Sequence, residues 1–97
     1  MGEFLVILSF YYLCNSAAEV RPLGPEELQR CTQSYEAVKF WFRPEWELAP
    51  DGSAARAGQN REAYLAFKDW EAGHPALVAS MQAEAAARAR GLDLALR

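Results

Sequence analysis

The residues from Phe4 to Cys14 read Phe-Leu-Val-Ile-Leu-Ser-Phe-Tyr-Tyr-Leu-Cys and are apolar except for Ser9. Such a run must be covered by something, and three coverings compete. It is too short to span a bilayer, which takes about 20 apolar residues. It does have the length of the hydrophobic stretch of an export signal, about 7–15 residues. Ser16-Ala17-Ala18 would supply small residues at a cleavage point. Against export, the residues ahead of the run are Met1-Gly2-Glu3, and the first basic residue is Arg21. A lipoprotein signal fails because bulky Tyr12 and Leu13 precede Cys14, and myristoylation is disfavoured by Val6 where Ser or Thr is expected.

The second covering is a sheet. Aromatic and β-branched residues in an unbroken run suit a strand buried on both faces. A lone strand leaves its backbone groups unpaired, so it needs a neighbour. Leu92-Asp93-Leu94-Ala95-Leu96 alternates with period two and is the one internal candidate. The third covering is a short helix, buried in the core or at an interface, and periodicity does not separate it from a strand. Residues 1–18 are therefore expected to be an ordered core or interface element. A cleaved export signal is the alternative, and an interfacial anchor is the third reading. The first expectation places the chain in the cytoplasm, and the alternative places it in the periplasm or outside the cell.

The rest of the chain reads as one small helical domain, residues 19–97. Gly24-Pro25-Glu26-Glu27 is a helix start. Proline at the first helical position loses an amide that had no partner, and the acids favour the positive end of the helix dipole. Leu28, Cys31, Tyr35, Val38 and Phe42 then recur on one face, and Arg43-Pro44 ends the helix, predicted over 25–42. Residues 45–59 read as a loop, with a turn at Pro50-Asp51-Gly52-Ser53 and a small-residue stretch, 53–58, as the most flexible part. Asn60 is the expected cap of a second helix over 60–73, with Ala63, Tyr64, Phe67 and Trp70 inward and Gly73 as a left-handed terminator. Pro75 opens a third helix to about residue 90, with Leu77, Val78, Met81 and Ala85 inward and Gly91 ending it. The predicted fold is mainly α: a long helix packed on a helix-turn-helix hairpin, with the apolar amino-terminal segment as strand or short helix.

Cys14 and Cys31 have no CxxC spacing and form no disulfide framework, so both are expected to act as small hydrophobes, with a disulfide as the lesser alternative. The sole histidine, His74, follows Glu71 by three residues, a metal half-site on an unbroken helix, but only one copy is present. There is no Gly-x-Ser-x-Gly elbow and no Gly-rich phosphate loop. The carboxylate pairs Glu26/Glu27, Glu45/Glu47 and Asp69/Glu71 read as helix-dipole or solvated acids. No catalytic, cofactor or metal site is expected, and the chain is expected not to be an enzyme. The net charge of -3 removes the footprint of a nucleic-acid binder.

The densest feature is Phe40-Trp41-Phe42-Arg43-Pro44-Glu45-Trp46. Trp, Arg and other aromatic residues are enriched at binding hot spots, and Phe40 and Trp46 lie off the inward stripe. The candidate partner-binding residues are therefore Phe40, Trp41, Arg43 and Trp46. The expected partner is another protein or a second copy of the chain, with no nucleic acid, and with no membrane except through residues 4–14. A protein-binding module, such as an accessory or assembly subunit or a small bacterial or phage inhibitor, is the expected function. An exported helical protein lacking residues 1–18 is the alternative.

Overall fold

A computed structural model describes residues 2–95, with side chains to residue 92. The described residues form four helices and no strand: α1 (Gly2–Val20), α2 (Pro25–Phe40), α3 (Ala54–Ala72) and α4 (Pro75–Ala95). The apolar run is thus neither a strand nor a short helix but the first three turns of a 19-residue helix. The proposed sheet partner does not exist, because Leu92 to Ala95 continue α4 and Leu96 lies outside the described residues.

Helix α1 folds back on α2 through a four-residue joint, residues 21–24, so the two form an antiparallel helical hairpin. Gly24 caps α2 and donates its N–H to Glu27 Oε1 at 3.0 Å, while Pro25 takes the first helical position. Glu27 is also clamped by Arg21, with Nη2 to Oε2 at 2.6 Å. Residues equidistant from the joint therefore face each other. Phe4 meets Trp41 with ring centroids 5.5 Å apart, Cys14 bonds to Cys31 across a Cα–Cα distance of 5.7 Å, and Tyr11 stacks on Tyr35, one residue off this register, at 5.3 Å. The disulfide corrects the expectation that both cysteines are free hydrophobes.

The core is built on α1. Phe4, Leu8 and Tyr12 come from α1, and Val38, Phe67 and Ala85 come one each from α2, α3 and α4. Phe4 lies at the centre of an aromatic cage, 5.5, 5.3 and 5.0 Å from the rings of Trp41, Phe42 and Trp70. Helix α4 lies mainly along α1 and makes little contact with α3. The least extent of the molecule is 19 Å, about two helix diameters, so the helices form two layers. A radius of gyration of 14.7 Å exceeds the roughly 12.5 Å of a compact chain this long, so some helix faces stay uncovered.

Several local expectations are corrected. Helix α3 starts at Ala54, not Asn60: Ser53 is its cap, with Oγ accepting the Arg56 N–H at 3.0 Å. Residues 54–58 are therefore helical instead of loop. Arg56 anchors this first turn by donating to the Ala49 carbonyl at 3.1 Å, pairing with Asp51 at 3.2 Å and lying 5.4 Å from the Phe40 ring centroid. Asn60 Oδ1 instead accepts from Lys39 Nζ at 3.4 Å. Gly73 sits in the right-handed region, φ -81°, because its N–H still bonds back to Asp69 and Trp70 carbonyls. Gly91 does not stop α4. Leu28, Tyr64 and Leu77, expected inside, are 56%, 42% and 38% exposed. The ties between α2 and α3 begin only at Glu36, which leaves Leu28 uncovered.

Candidate functional site

The aromatic segment at the end of α2 is divided by the fold. Trp41 caps the helix and Pro44 prevents its continuation. Two turns follow, Arg43 N–H to the Phe40 carbonyl at 3.0 Å and Trp46 N–H to the Arg43 carbonyl at 3.2 Å. This winding divides the aromatic side chains between two sides. Trp41 and Phe42 turn inward to Phe4 and pack on the core. Phe40 and Trp46 stay outside the core cluster, half-buried, and meet each other with centroids 6.5 Å apart.

The outer pair is held by cations. Arg43 lies 5.7 Å from the Trp46 ring centroid, donates Nη1–H to the Phe42 carbonyl at 2.8 Å and reaches Glu62 at 3.9 Å. Beneath Phe40, the buried Lys39 ammonium is 4.9 Å from that ring and 4.7 Å from Tyr35, and pairs with Glu36 at 3.3 Å. Cations over aromatic faces fix ring orientation by quadrupole attraction. The result is a pre-set surface, because little rotamer freedom is left to lose on binding. A shallow groove runs beside it between Ala37, Phe40, Trp41 and Pro44. Of the four expected residues, Phe40, Arg43 and Trp46 thus form one surface, and Trp41 contributes its edge to the groove while serving the core.

The sequence reading missed a second ledge next to it. His74 stacks on Trp70 at 4.4 Å between centroids, and its Nδ1 is 2.8 Å from the Trp70 carbonyl oxygen. With Phe42, Arg43 and Asp69, these two line an adjoining depression. The Trp70/His74 spacing of four residues is the signal that was available, but α3 was expected to reverse at Gly73.

Glu71 meets His74 through the backbone, its carbonyl accepting the His74 N–H at 3.0 Å, while its side chain is engaged elsewhere. Its carboxylate accepts the Tyr12 hydroxyl proton on one oxygen and Lys68 Nζ–H on the other, the latter at 2.6 Å. Burial, reinforced by the Glu71 hydrogen bond, pushes the Tyr12 phenol far above its ordinary range. The same carboxylate raises Lys68. Both shifts lead away from neutral pH, the opposite of what general acid–base work requires. The trio is a polar strut between α1 and α3. Among the described residues no three His, Cys, Asp or Glu side chains converge as a metal-binding group. No described helix is long and apolar enough to cross a membrane.

Comparison with known proteins brings no match: no protein-family model, no curated relative and no solved structure corresponds to this chain.

Proposed function

We propose that this chain is a non-enzymatic protein-binding module that holds a partner segment against the outer aromatic surface at the end of α2. The observation that carries the reading is the Phe40–Trp46 pair, left outside the core yet fixed by Arg43, Lys39 and Arg56. Aromatic residues and arginine held rigid at a surface are the usual anchors of protein interfaces. The rim is acidic, with Glu45, Glu47, Glu62 and Asp69 all exposed. Its complement is a segment with an apolar anchor flanked by Lys or Arg.

The test is selection from a displayed random peptide library on the disulfide-intact chain. Enriched peptides should carry a large apolar residue with basic neighbours. Trp46→Ala should abolish capture with an unchanged helical circular dichroism spectrum. Enrichment that survives Trp46→Ala, or no enrichment above an unrelated helical protein, would sink the proposal.

A second reading concerns compartment. The Cys14–Cys31 disulfide favours an oxidising environment, since cytosolic thiols are held reduced. Cleavage near residue 18 would remove Cys14 together with Phe4, Leu8 and Tyr12, so an export signal that is cut off and a native disulfide exclude each other. The form of the exported reading that agrees with the geometry is a protein of an oxidising compartment that keeps α1. Intact mass of the native protein, alkylated before and after reduction, tests it. A mass retaining residues 2–18 with two masked thiols supports it, and a mass beginning near Glu19 refutes it.

A further inference from the structure

Near the joint of the α1–α2 hairpin, away from the aromatic cage, packing leaves a cleft of about 160 Å³ between α1, α2 and α4. Burial grades from its floor to its mouth. Cys14 and Ala89 are buried, Leu13, Ala17 and Leu23 are half-buried, and Phe10 and Leu92 are 41% and 56% exposed. The space exists because Ala17 and Ala89 supply only methyl groups where larger side chains would fill it. The Cys14–Cys31 bond ties α1 to α2 along the floor, so the walls are set before anything binds.

The cleft is not apolar throughout, because Arg21, Glu27 and Arg30 also line it. Glu27 accepts two hydrogen bonds from Arg21, at 3.0 and 2.6 Å. Arg30 is exposed, three residues after Glu27 on α2, and forms no hydrogen bond or ion pair among the described residues. Among the described side chains of the cleft, two guanidinium groups therefore stand against one carboxylate. The complement of such a cleft is a monoanion with an apolar tail.

We propose that this cleft binds a free medium-chain carboxylate, with the tail between Ala17 and Ala89 and the head on Arg30. Volume sets the length of the tail. A protein cavity of roughly 150 Å³ takes up benzene, so the cleft holds about six carbons, and acids of about six to eight carbons fill it. Charge sets the head. A guanidinium presents paired N–H donors that a carboxylate accepts edge-on, and Arg30 meets it while the Arg21–Glu27 clamp stays closed. The cleft shares no residue with the aromatic surface at the end of α2, so it stands apart from the function proposed above.

Titration of the isotope-labelled, disulfide-intact full chain with sodium octanoate, followed by amide chemical shifts, tests the proposal. Saturable shifts are expected around Ala17, Leu23, Arg30 and Ala89, with a dissociation constant of about 1 mM or tighter. From butanoate upward, each added methylene should tighten binding about fourfold, and the gain should stop beyond about eight carbons. Hexanol should bind about two- to fivefold more weakly than hexanoate. Arg30→Gln should weaken hexanoate by the same factor, an effect lost in high salt, and leave hexanol unchanged. Ala17→Leu should weaken octanoate about tenfold or more by filling the cleft, with an unchanged circular dichroism spectrum. Arg61→Gln and Val6→Glu, exposed and outside the cleft, should leave binding unchanged. No saturable shift by about 10 mM octanoate overturns the proposal. Equal affinity for hexanol and hexanoate overturns it too, as do equal losses in Arg30→Gln and Arg61→Gln, or affinity that keeps rising through dodecanoate. If Ala17→Leu does not fold, the two exposed arginine variants decide. Trp46→Ala should leave octanoate binding intact, so failure here and failure of the peptide-binding reading are told apart.

Discussion

Replacing Phe4 by Ala should remove most of the stability of this fold. Phe4 is fully buried, and its ring touches Trp41, Phe42 and Trp70 at centroid distances of 5.5, 5.3 and 5.0 Å. Core Phe→Ala changes cost about 3–5 kcal/mol, depending on how far the site can collapse. Here it collapses poorly, because the three neighbouring rings hang from two elements braced elsewhere. Each ring contact is also worth about 0.5–1.5 kcal/mol beyond area burial. The expected loss is therefore at the upper end, about 4–5 kcal/mol. A small domain has roughly 5–15 kcal/mol in total, so little remains. Urea titration followed by far-ultraviolet circular dichroism and tryptophan fluorescence reads the effect. With a slope of about 2 kcal/mol per molar, the midpoint should fall by about 2 M. Phe4→Leu, which refills part of the space, should lose about 1–2 kcal/mol. If Phe4→Ala melts within about 1 kcal/mol of the parent, α1 lies outside the cooperative core and the derivation of this fold from its aromatic cage is wrong.

Reducing the disulfide, or replacing Cys14 and Cys31 together by Ala, should cost about 3 kcal/mol, the loop-closure entropy for a sequence separation of 17. Thermal melts with and without reductant would show it, and an unchanged midpoint would mean that the bond does not form in solution. At high pH the Tyr12–Glu71–Lys68 strut sets a limit. Both Tyr12 and Lys68 are raised in the fold, so the native state holds protons that the unfolded chain releases. Stability should be full below the ordinary tyrosine value of 10.0 and fall as pH rises beyond it. Tyr12→Phe should flatten that alkaline decline, and a decline of equal steepness in the variant would count against the strut. At low pH, Arg21 and the Gly24 N–H hold Glu27 down from 4.5 to about 2. Its contribution is present above pH 4.5 and is lost as pH falls toward 2, so Glu27→Gln should lose less stability than the parent over that window. Parallel acid titration curves for the two proteins would contradict this.

The parts of the fold that were legible in the sequence are those where apolar periodicity and backbone chemistry agree. Pro25 with two acids behind it, and the Gly73-His74-Pro75 reversal, mark helix boundaries to within a residue or two. The start of α3 was not legible because it is not held by apolar packing. Ala54, Ala55, Ala57 and Gly58 are exposed, and the turn is held by Ser53 capping and by Arg56 reaching back to Ala49 and Asp51. Gly91 signalled an end, but a glycine with open space around it accepts helical dihedrals at a cost of about 1 kcal/mol, and α4 continues through it. At the candidate site, Phe40 and Trp46 fall off the helical stripe, and the fold leaves both outside the core cluster, half-buried. The neighbouring Trp70–His74 ledge depends on how α3 meets α2, a tertiary fact that no local pattern carries.

The cysteine pair shows what kind of information was missing. A spacing of 17 residues says nothing by itself, because almost any separation can be bridged. It becomes informative once two conditions hold: residues 4–14 form a helix, and that helix reverses into α2 through a short joint. In an antiparallel hairpin, residues equidistant from the joint are neighbours. Cys14 lies seven residues before the 21–24 joint and Cys31 seven after it, and the same symmetry pairs Phe4 with Trp41. The strand reading loses this register toward the start of the run, since a strand rises about 3.3 Å per residue against 1.5 Å in a helix, and Phe4 would be carried past Trp41. The disulfide holds the end of the apolar run beside α2, and the helical rise from Cys14 back to Phe4 is what brings Phe4 to Trp41.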